Sequence, residues 1–353
     1  MVLSVLAVLC GAESWYEMEE FGKEKKEFLQ KFLHLENGIP SHDTFNRIFM
    51  LIDARLFERS FRAWAAELNQ LLEAQKKDEK KAGEADEKEL IAIDGKSVCN
   101  SASKHHGLGA LHLVSAWSSR NQLVLGQQKV ADKSNEITAI PELLSFLNIQ
   151  GAVVTIDAMG TQKKIAEKII ANQGDYILSL KGNQQALYEQ VTSQFNTFKE
   201  DSYSQHLDKG HGRSEIRTCK VINQLNWIDE KEHWSNLNSI VKISSERIID
   251  GKSSIQDRYY ISSLTTDAAY FNQAIRGHWG IENQLHWQLD VGFNEDYNTT
   301  RNRQAAQNLA VVRKMAVNIL KADKSSKASI KAKRKMAGWN ENYLIKIVTS
   351  NFF

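Results

Sequence analysis

Two short runs, Leu90-Ile91-Ala92-Ile93-Asp94 and Ala152-Val153-Val154-Thr155-Ile156-Asp157, each close on an aspartate followed by a small residue. Continuous aliphatic and β-branched runs of this length read as buried strands of an α/β sheet. An acid at the C-terminal end of such a strand is held by rigid backbone, yet faces the open edge of the sheet where ligands gather. Two acids on neighbouring strands repel each other unless a cation lies between them, and Mg²⁺ prefers carboxylate oxygens, water and phosphate. Either aspartate alone reads as well as a turn residue or a helix cap. The repeated context makes Asp94 and Asp157 a candidate metal pair.

Working outward, Ala110 to Trp117 and Gln122 to Val130 are strand-like, with a turn at Ser118 to Asn121. Glu136 to Leu147 reads as a helix capped by Ser134 or Asn135, Thr161 to Asn172 as a second helix, and Tyr176 to Leu180 as a strand. Hairpin strands followed by helix-strand alternation predict a mixed α/β domain. Ile216 to Ile222, Ser239 to Ile248 and Gln256 to Ser262 are further strands in a β-rich insertion spanning about residues 185 to 265. Helical texture returns from Thr266 to Leu289 and from Gln304 to Lys321.

Residues 1 to 75 read as a small helical domain, with apolar stripes such as Phe45, Ile48, Phe49 and Ile52. A helix-turn-helix reader over Ser41 to Ile52 is the alternative to plain core. Lys76 to Glu89 mixes five lysines with six acids and reads as a charged linker. The predicted domains are thus 1–75, a linker 76–89, a mixed α/β domain 90–320 and a basic tail 321–353.

The chain of 353 residues is 42% hydrophobic and 25% charged, the balance of a folded globular protein. Its 45 basic residues nearly cancel 43 acidic ones, so only local clustering can point to a nucleic acid. Cys10, Cys99 and Cys219 lack metal-ligand spacing, and their odd number argues against a disulfide framework, as expected of a cytoplasmic protein. Met1 to Cys10 is apolar but has no basic flank, and reads as a first helix rather than a signal. No run is long enough to span a bilayer.

A third acid lies in Ile275-Arg-Gly-His-Trp-Gly-Ile-Glu-Asn-Gln-Leu-His-Trp287. On a regular helix His278, Glu282 and His286 share one face. The bland alternative is an amphipathic helix with satisfied polar pairs; a zinc hydrolase fits poorly, because the spacing is not His-Glu-x-x-His.

The strings IAIDGK, VTIDAMGTQ, YILSLKGNQ, HGRSEIR and IRGHWGIENQLHWQLDVGFNEDYNTTR, in that order, resemble the H-repeat-associated (ISAs-type) DDE transposases of bacterial insertion sequences. GAESW and NGIPSHDTFNRIF resemble the helical domain that precedes catalysis there, and the family's start is expected upstream of Met1, so that the first domain is a shortened one. The resemblance implies an RNase H-like fold in which Asp94, Asp157 and Glu282 are catalytic and bind two Mg²⁺ or Mn²⁺ ions. It implies cleavage and joining of double-stranded DNA at insertion-sequence ends and target, by a homodimer at work and without a membrane. A wider Tyr-x-x-Arg-x-x-x-Glu-x₆-Lys signature is broken here, since Ile275, His278 and Leu289 hold the Tyr, Arg and Lys positions, whereas Trp279-Gly-Ile-Glu282 survives. The alternatives to an active enzyme are a silent DNA-binding remnant and a metal-dependent nuclease that does not join strands.

Candidate DNA contacts are Lys96 and Lys181 beside strand ends, His211, Arg213 and Arg217 in HGRSEIR, His278, and Lys331 and Arg334 in the basic tail. Each has a plainer reading: a solvated lysine, an arginine–Glu215 pair on a strand surface, or a solvated tail. Asp290, Glu295 and Asp296 are reserve metal ligands, or partners of Arg301 and Arg303.

Overall fold

Strands β1 (Leu90–Val98) and β4 (Val153–Ile156) run parallel, with Leu90 beside Val153 and Ile93 beside Ile156. The computed structural model containing them describes residues 1–79, 88–102, 107, 109–132, 134–210, 213–250 and 252–352. The chain forms two compact units. One comprises Met1–Ala85, Gly95–Ser134 and Ile281–Phe353, the other Asp86–Asp94 and Asn135–Gly280, so β1 starts in the second unit and ends in the first.

In the second unit the strand order is β1-β4-β5-β9-β8-β7-β6. Here β5 is Asp175–Leu180, β6 Ser202–Gly210, β7 Arg213–Ile222, β8 Ser239–Ile249 and β9 Lys252–Ser262. Helix α6 (Glu136–Leu144) precedes β4, and α7 (Lys163–Ala171) makes the crossover that two parallel strands require. Asn135 caps α6 through a side-chain bond from the Ile137 amide. After α8 (Gln185–Thr197), strands β6 to β9 extend the sheet by antiparallel ladders, with β9 paired to β5. Helix α9 (Ala268–Gly280) then covers one face: Phe271, Ala274 and Ile275 pack with Val153, Ile177, Cys219, Val221, Val241 and Ile243. Side chains alternate across a sheet, so the face bearing Val153 also bears Thr155 and the position of Asp157.

In the first unit α11 (Arg303–Ala322) is almost wholly buried. Packed on it are α1 (Val2–Leu9), α4 (His42–Leu51), α5 (Ala54–Glu79), α12 (Ile330–Trp339) and α13 (Glu341–Phe352). Helices α2 (Trp15–Glu24) and α3 (Lys26–Leu29) complete the N-terminal set, and α2 starts at a Ser14–Glu17 capping box. The hairpin β2 (Leu111–Ser118) and β3 (Leu123–Lys129) lies in this unit too. Asn318 of α11 both donates to the Val124 carbonyl and accepts from its amide, supplying β3 with bonds a neighbouring strand would otherwise make. No helix among the described residues is long and apolar enough to cross a membrane.

Two expectations need correction, and a third falls largely outside the described residues. The N-terminal helices exist, but share one compact unit with the β2–β3 hairpin and the C-terminal helices, because α11 is the common core they bury against. The linker begins as helix through Glu79, and most of it, 80–87, lies outside the described residues. The basic tail is no tail: Ser329 caps α12, whose Ile330, Lys333, Arg334 and Ala337 are buried, and α13 follows.

Candidate active site at the parallel strand ends

Asp94 and Asp157 occupy the positions just after Ile93 and Ile156, which pair directly in the β1–β4 ladder. The two acids therefore leave neighbouring strands in step, a strand spacing of about 4.8 Å apart in backbone terms. Both are half-buried. Asp157 Oδ1 accepts from the Met159 amide (3.1 Å) and the Gly160 amide (3.3 Å), so the carboxylate also holds the turn beyond its strand. Glycine is required at 160 because a Cβ there would run into Ile156 and Ile140. Burial pushes the Asp157 carboxyl above its ordinary pKa, and Glu136 adds to this, while those two amides and Lys181 pull it down. Lys181 stands exposed just after β5, parallel to β4.

Above this face, His278 Nδ1 lies 2.9 Å from Thr155 Oγ1, two residues before Asp157. Desolvation lowers the imidazole pKa to about 4. At neutral pH His278 is thus an uncharged hydrogen-bonding group held against Thr155.

Glu282 is exposed and lies in the first unit, in a π-helical segment, Ile281–His286, that separates α9 from α10 (Trp287–Phe293). An i→i+5 segment changes the phase of side chains, so His278, Glu282 and His286 do not repeat on one face as a regular helix would place them. Ile281, Leu285 and Leu289 are buried and anchor the segment.

Lys96 is not a free phosphate contact. Its Nζ lies 2.7 Å from Asp290, 3.0 Å from Asp296 and 3.8 Å from Glu295, and Asp296 also accepts from the Cys99 amide. The three acids thus take Lys96 rather than Arg301 or Arg303, and Glu295 in addition faces Arg313 at 3.8 Å. Their summed charge raises the Lys96 pKa despite its burial.

Of the remaining candidates, Arg334 is 4% exposed. It donates to the Val8, Ala12 and Gly292 carbonyls, pairs with Glu13 at 3.5 Å and stacks 4.1 Å above the Phe293 ring. That is an internal strut, and the DNA-contact reading of Arg334 is corrected. Lys331 is exposed on α12. Arg213 begins β7, and His211 lies outside the described residues. Among the described residues no three His, Cys, Asp or Glu side chains are grouped to hold a metal. Sequence reading missed the engagement of Lys96 by acids about 200 residues away, for which the local sequence carries no signal.

Known proteins match along most of the chain. The model of the transposase DDE domain matches residues 85–319, and that of the domain associated with it matches residues 1–65. The "H repeat-associated putative transposase YhhI" of Escherichia coli (strain K12) is 40% identical over 99% of this chain and 92% of its own length. "Putative transposase YncI" of E. coli O157:H7 is 40% identical over 99% and 88%. "Putative protein YbfL" of E. coli (strain K12) is 40% identical over 99% and 92%.

Proposed function

Because the chain belongs to the transposase DDE family, we propose that it cleaves DNA at insertion-sequence ends and joins the freed strands to target DNA, with Asp94, Asp157 and Glu282 as its acids. The observation that carries this reading is the parallel β1–β4 register, which brings Asp94 and Asp157 off adjacent strands in step. Support for an RNase H-like catalytic fold comes from the start of β1, β4 and β5 running parallel side by side.

The family generally uses divalent metal ions, and the donors here suit them. Two half-buried carboxylates offer hard oxygens, and burial already disfavours the lone Asp157 charge in a way a cation reverses. Asp94, Asp157 and Glu282 would hold two Mg²⁺ or Mn²⁺ ions, whose chemistry is to neutralise phosphate charge and make water more acidic. The protein's own groups orient this set. The amides of Met159 and Gly160 fix Asp157, and neutral His278 fixes Thr155 beside it.

The reaction is two in-line displacements at phosphorus. Water attacks an end phosphodiester and the P–O3′ bond breaks, the proton of water passing to solvent and the 3′-oxygen leaving as a hydroxyl. That hydroxyl then attacks a target phosphodiester, releasing a second 3′-hydroxyl, so bonds broken equal bonds formed. Lys181, exposed and near enough to Asp157 to draw its pKa down, would meet the phosphate there. Two ends held together call for a homodimer, in the cytoplasm where the DNA lies.

Asp94→Asn, Asp157→Asn and Glu282→Gln are each expected to lower Mg²⁺-dependent cleavage of end-labelled DNA by a factor of about 10² or more while DNA still binds. Wild-type cleavage by any one variant removes that residue from the site. Nicks without joined products would make the protein a nuclease, and shifted bands without nicks a DNA-binding remnant.

A further inference from the structure

Arg217, in the middle of β7, is 7% exposed, its Nε has no hydrogen-bond partner, and no carboxylate lies within ion-pair distance of it among the described residues. A buried guanidinium without a counter-ion is costly, and native proteins keep such groups where something else completes them. The neighbouring acids are already engaged: Glu215 faces Arg247 at 3.5 Å, and Asp208 pairs with Arg276 at 2.5 Å. Burial disfavours the Arg217 charge most; Tyr260 and Glu215 attract it while Arg276 and Arg258 repel it, so the attraction does not make up for the lost water.

The ladders place this cluster in relation to Asp157. Ile156 pairs with Leu178, so Asp157 is in step with Ser179, which pairs with Tyr260 of β9. Arg258 is two residues along β9 from Tyr260 and shares its face, and across β8 Arg258 pairs with Ile243 and Ile243 with Cys219. Arg217 is two residues further along β7, again on that face. Arg258 is half-buried, and its guanidinium lies 5.1 Å from the centre of the Trp279 ring. One sheet face thus carries Asp157, then Arg258 about 10 Å across two strands, then Arg217 about 10 Å beyond.

We infer that Arg217 and Arg258 form a phosphate-binding subsite for the backbone of the DNA whose scissile bond lies at Asp157. The subsite rests on the proposed function for its ligand. A guanidinium offers forked donors that match phosphate oxygens, and a nucleic-acid backbone supplies several phosphates across a span of about 20 Å at 3.4 Å of axial rise per nucleotide. Contacts of this kind position DNA and carry no sequence information.

The test is the salt dependence of binding to a duplex of random sequence, measured by fluorescence anisotropy for the full chain and for Arg217→Gln, Arg258→Gln and Asp157→Asn. Each arginine variant is expected to weaken binding alike on every sequence and to flatten the slope of log K against log salt by about 0.9. Arg217→Lys, which keeps the charge, is expected to restore most of the slope. Unchanged slopes in both glutamine variants overturn the subsite. If Arg217→Gln unfolds, the half-exposed Arg258 decides the matter alone. Inorganic phosphate supplies the second arm: if it raises the melting temperature of wild type and not of Arg217→Gln while DNA slopes stay equal, the site takes free phosphate and the DNA inference falls. Asp157→Asn is expected to keep the wild-type slope and lose cleavage. Should it cleave normally while the arginine variants lose slope, the acid site fails and the subsite stands.

Discussion

Two charged stretches of the chain read alike as candidate phosphate contacts, and the structure separates them. Residues 321–335 carry seven lysines and arginines against one acid, which along the sequence suggests a clamp for phosphates. Folded, Lys333 caps the end of α11 through the carbonyls of Leu320 (2.9 Å) and Asp323 (2.6 Å), and Arg334 ties α1 to α10 through Val8 and Gly292. In HGRSEIR, where β7 begins, Arg217 reads along the sequence either as a DNA contact or as a partner of Glu215 on a strand surface. There Glu215 and Asp208 are taken by other arginines, and Arg217 is left buried with no acid at ion-pair distance among the described residues. Charge density along a chain counts residues, whereas function depends on which charges find partners inside.

The comparison breaks most visibly at Arg334. If it is a strut, Arg334→Met leaves three carbonyls without their donor and Glu13 without its cation. Losses of this type run to about 3 kcal/mol. Urea unfolding is expected to show that loss, with the salt slope of DNA binding unchanged. A variant of normal stability with a flatter salt slope would restore the clamp.

Next come two buried cations with opposite surroundings. Lys96→Met leaves Asp290, Glu295 and Asp296 facing one another uncompensated, and is expected to destabilise the protein by about 2 kcal/mol. Arg217→Met removes a charge that had no partner, and is expected to leave stability unchanged or to raise it by about 1 kcal/mol while weakening DNA binding. Thermal and urea unfolding of the two variants side by side measure the contrast. Equal destabilisation would mean that Arg217 is held by the protein after all.

What could be read beforehand follows the same division between local and distant information. The strand ends at Asp94 and Asp157 were legible because a buried parallel strand needs a continuous apolar run, and the polar residue that closes it is visible. The cap of α6 was legible as Ser134 or Asn135 for a similar reason, since a side chain bonding an amide two residues on is a local event, and it is Asn135 that does so. The β-rich insertion was legible from its alternation, but its register was not, and it is the register that aligns Arg258 and Arg217 with Asp157. The π-helical turn at Glu282 left no sign in Trp-Gly-Ile-Glu, whose spacing reads as an ordinary helix. Lys96 was misread because the acids that neutralise it come from the other end of the chain.

A third buried cation sharpens the rule with the smallest effect. Lys314 is 2% exposed and has no direct carboxylate among the described residues: its Nζ donates to Gln127 Oε1 (2.6 Å), and Gln127 in turn donates to Glu58 (2.9 Å). Desolvation outweighs the attraction of Glu295 and Glu58 and lowers its pKa to about 8, against about 10.4 for a lysine in an unfolded chain. Between those two values the unfolded state binds more protons than the folded one, so this lysine makes stability rise with pH across that window. Below the window both states are protonated, and the full cost of the buried charge is felt. Urea midpoints taken across the window are therefore expected to climb in wild type and to climb less in Lys314→Met. Identical pH profiles would show that the Gln127–Glu58 relay neutralises the charge completely, placing Lys314 with Lys96 among the paired cations and leaving Arg217 as the exception.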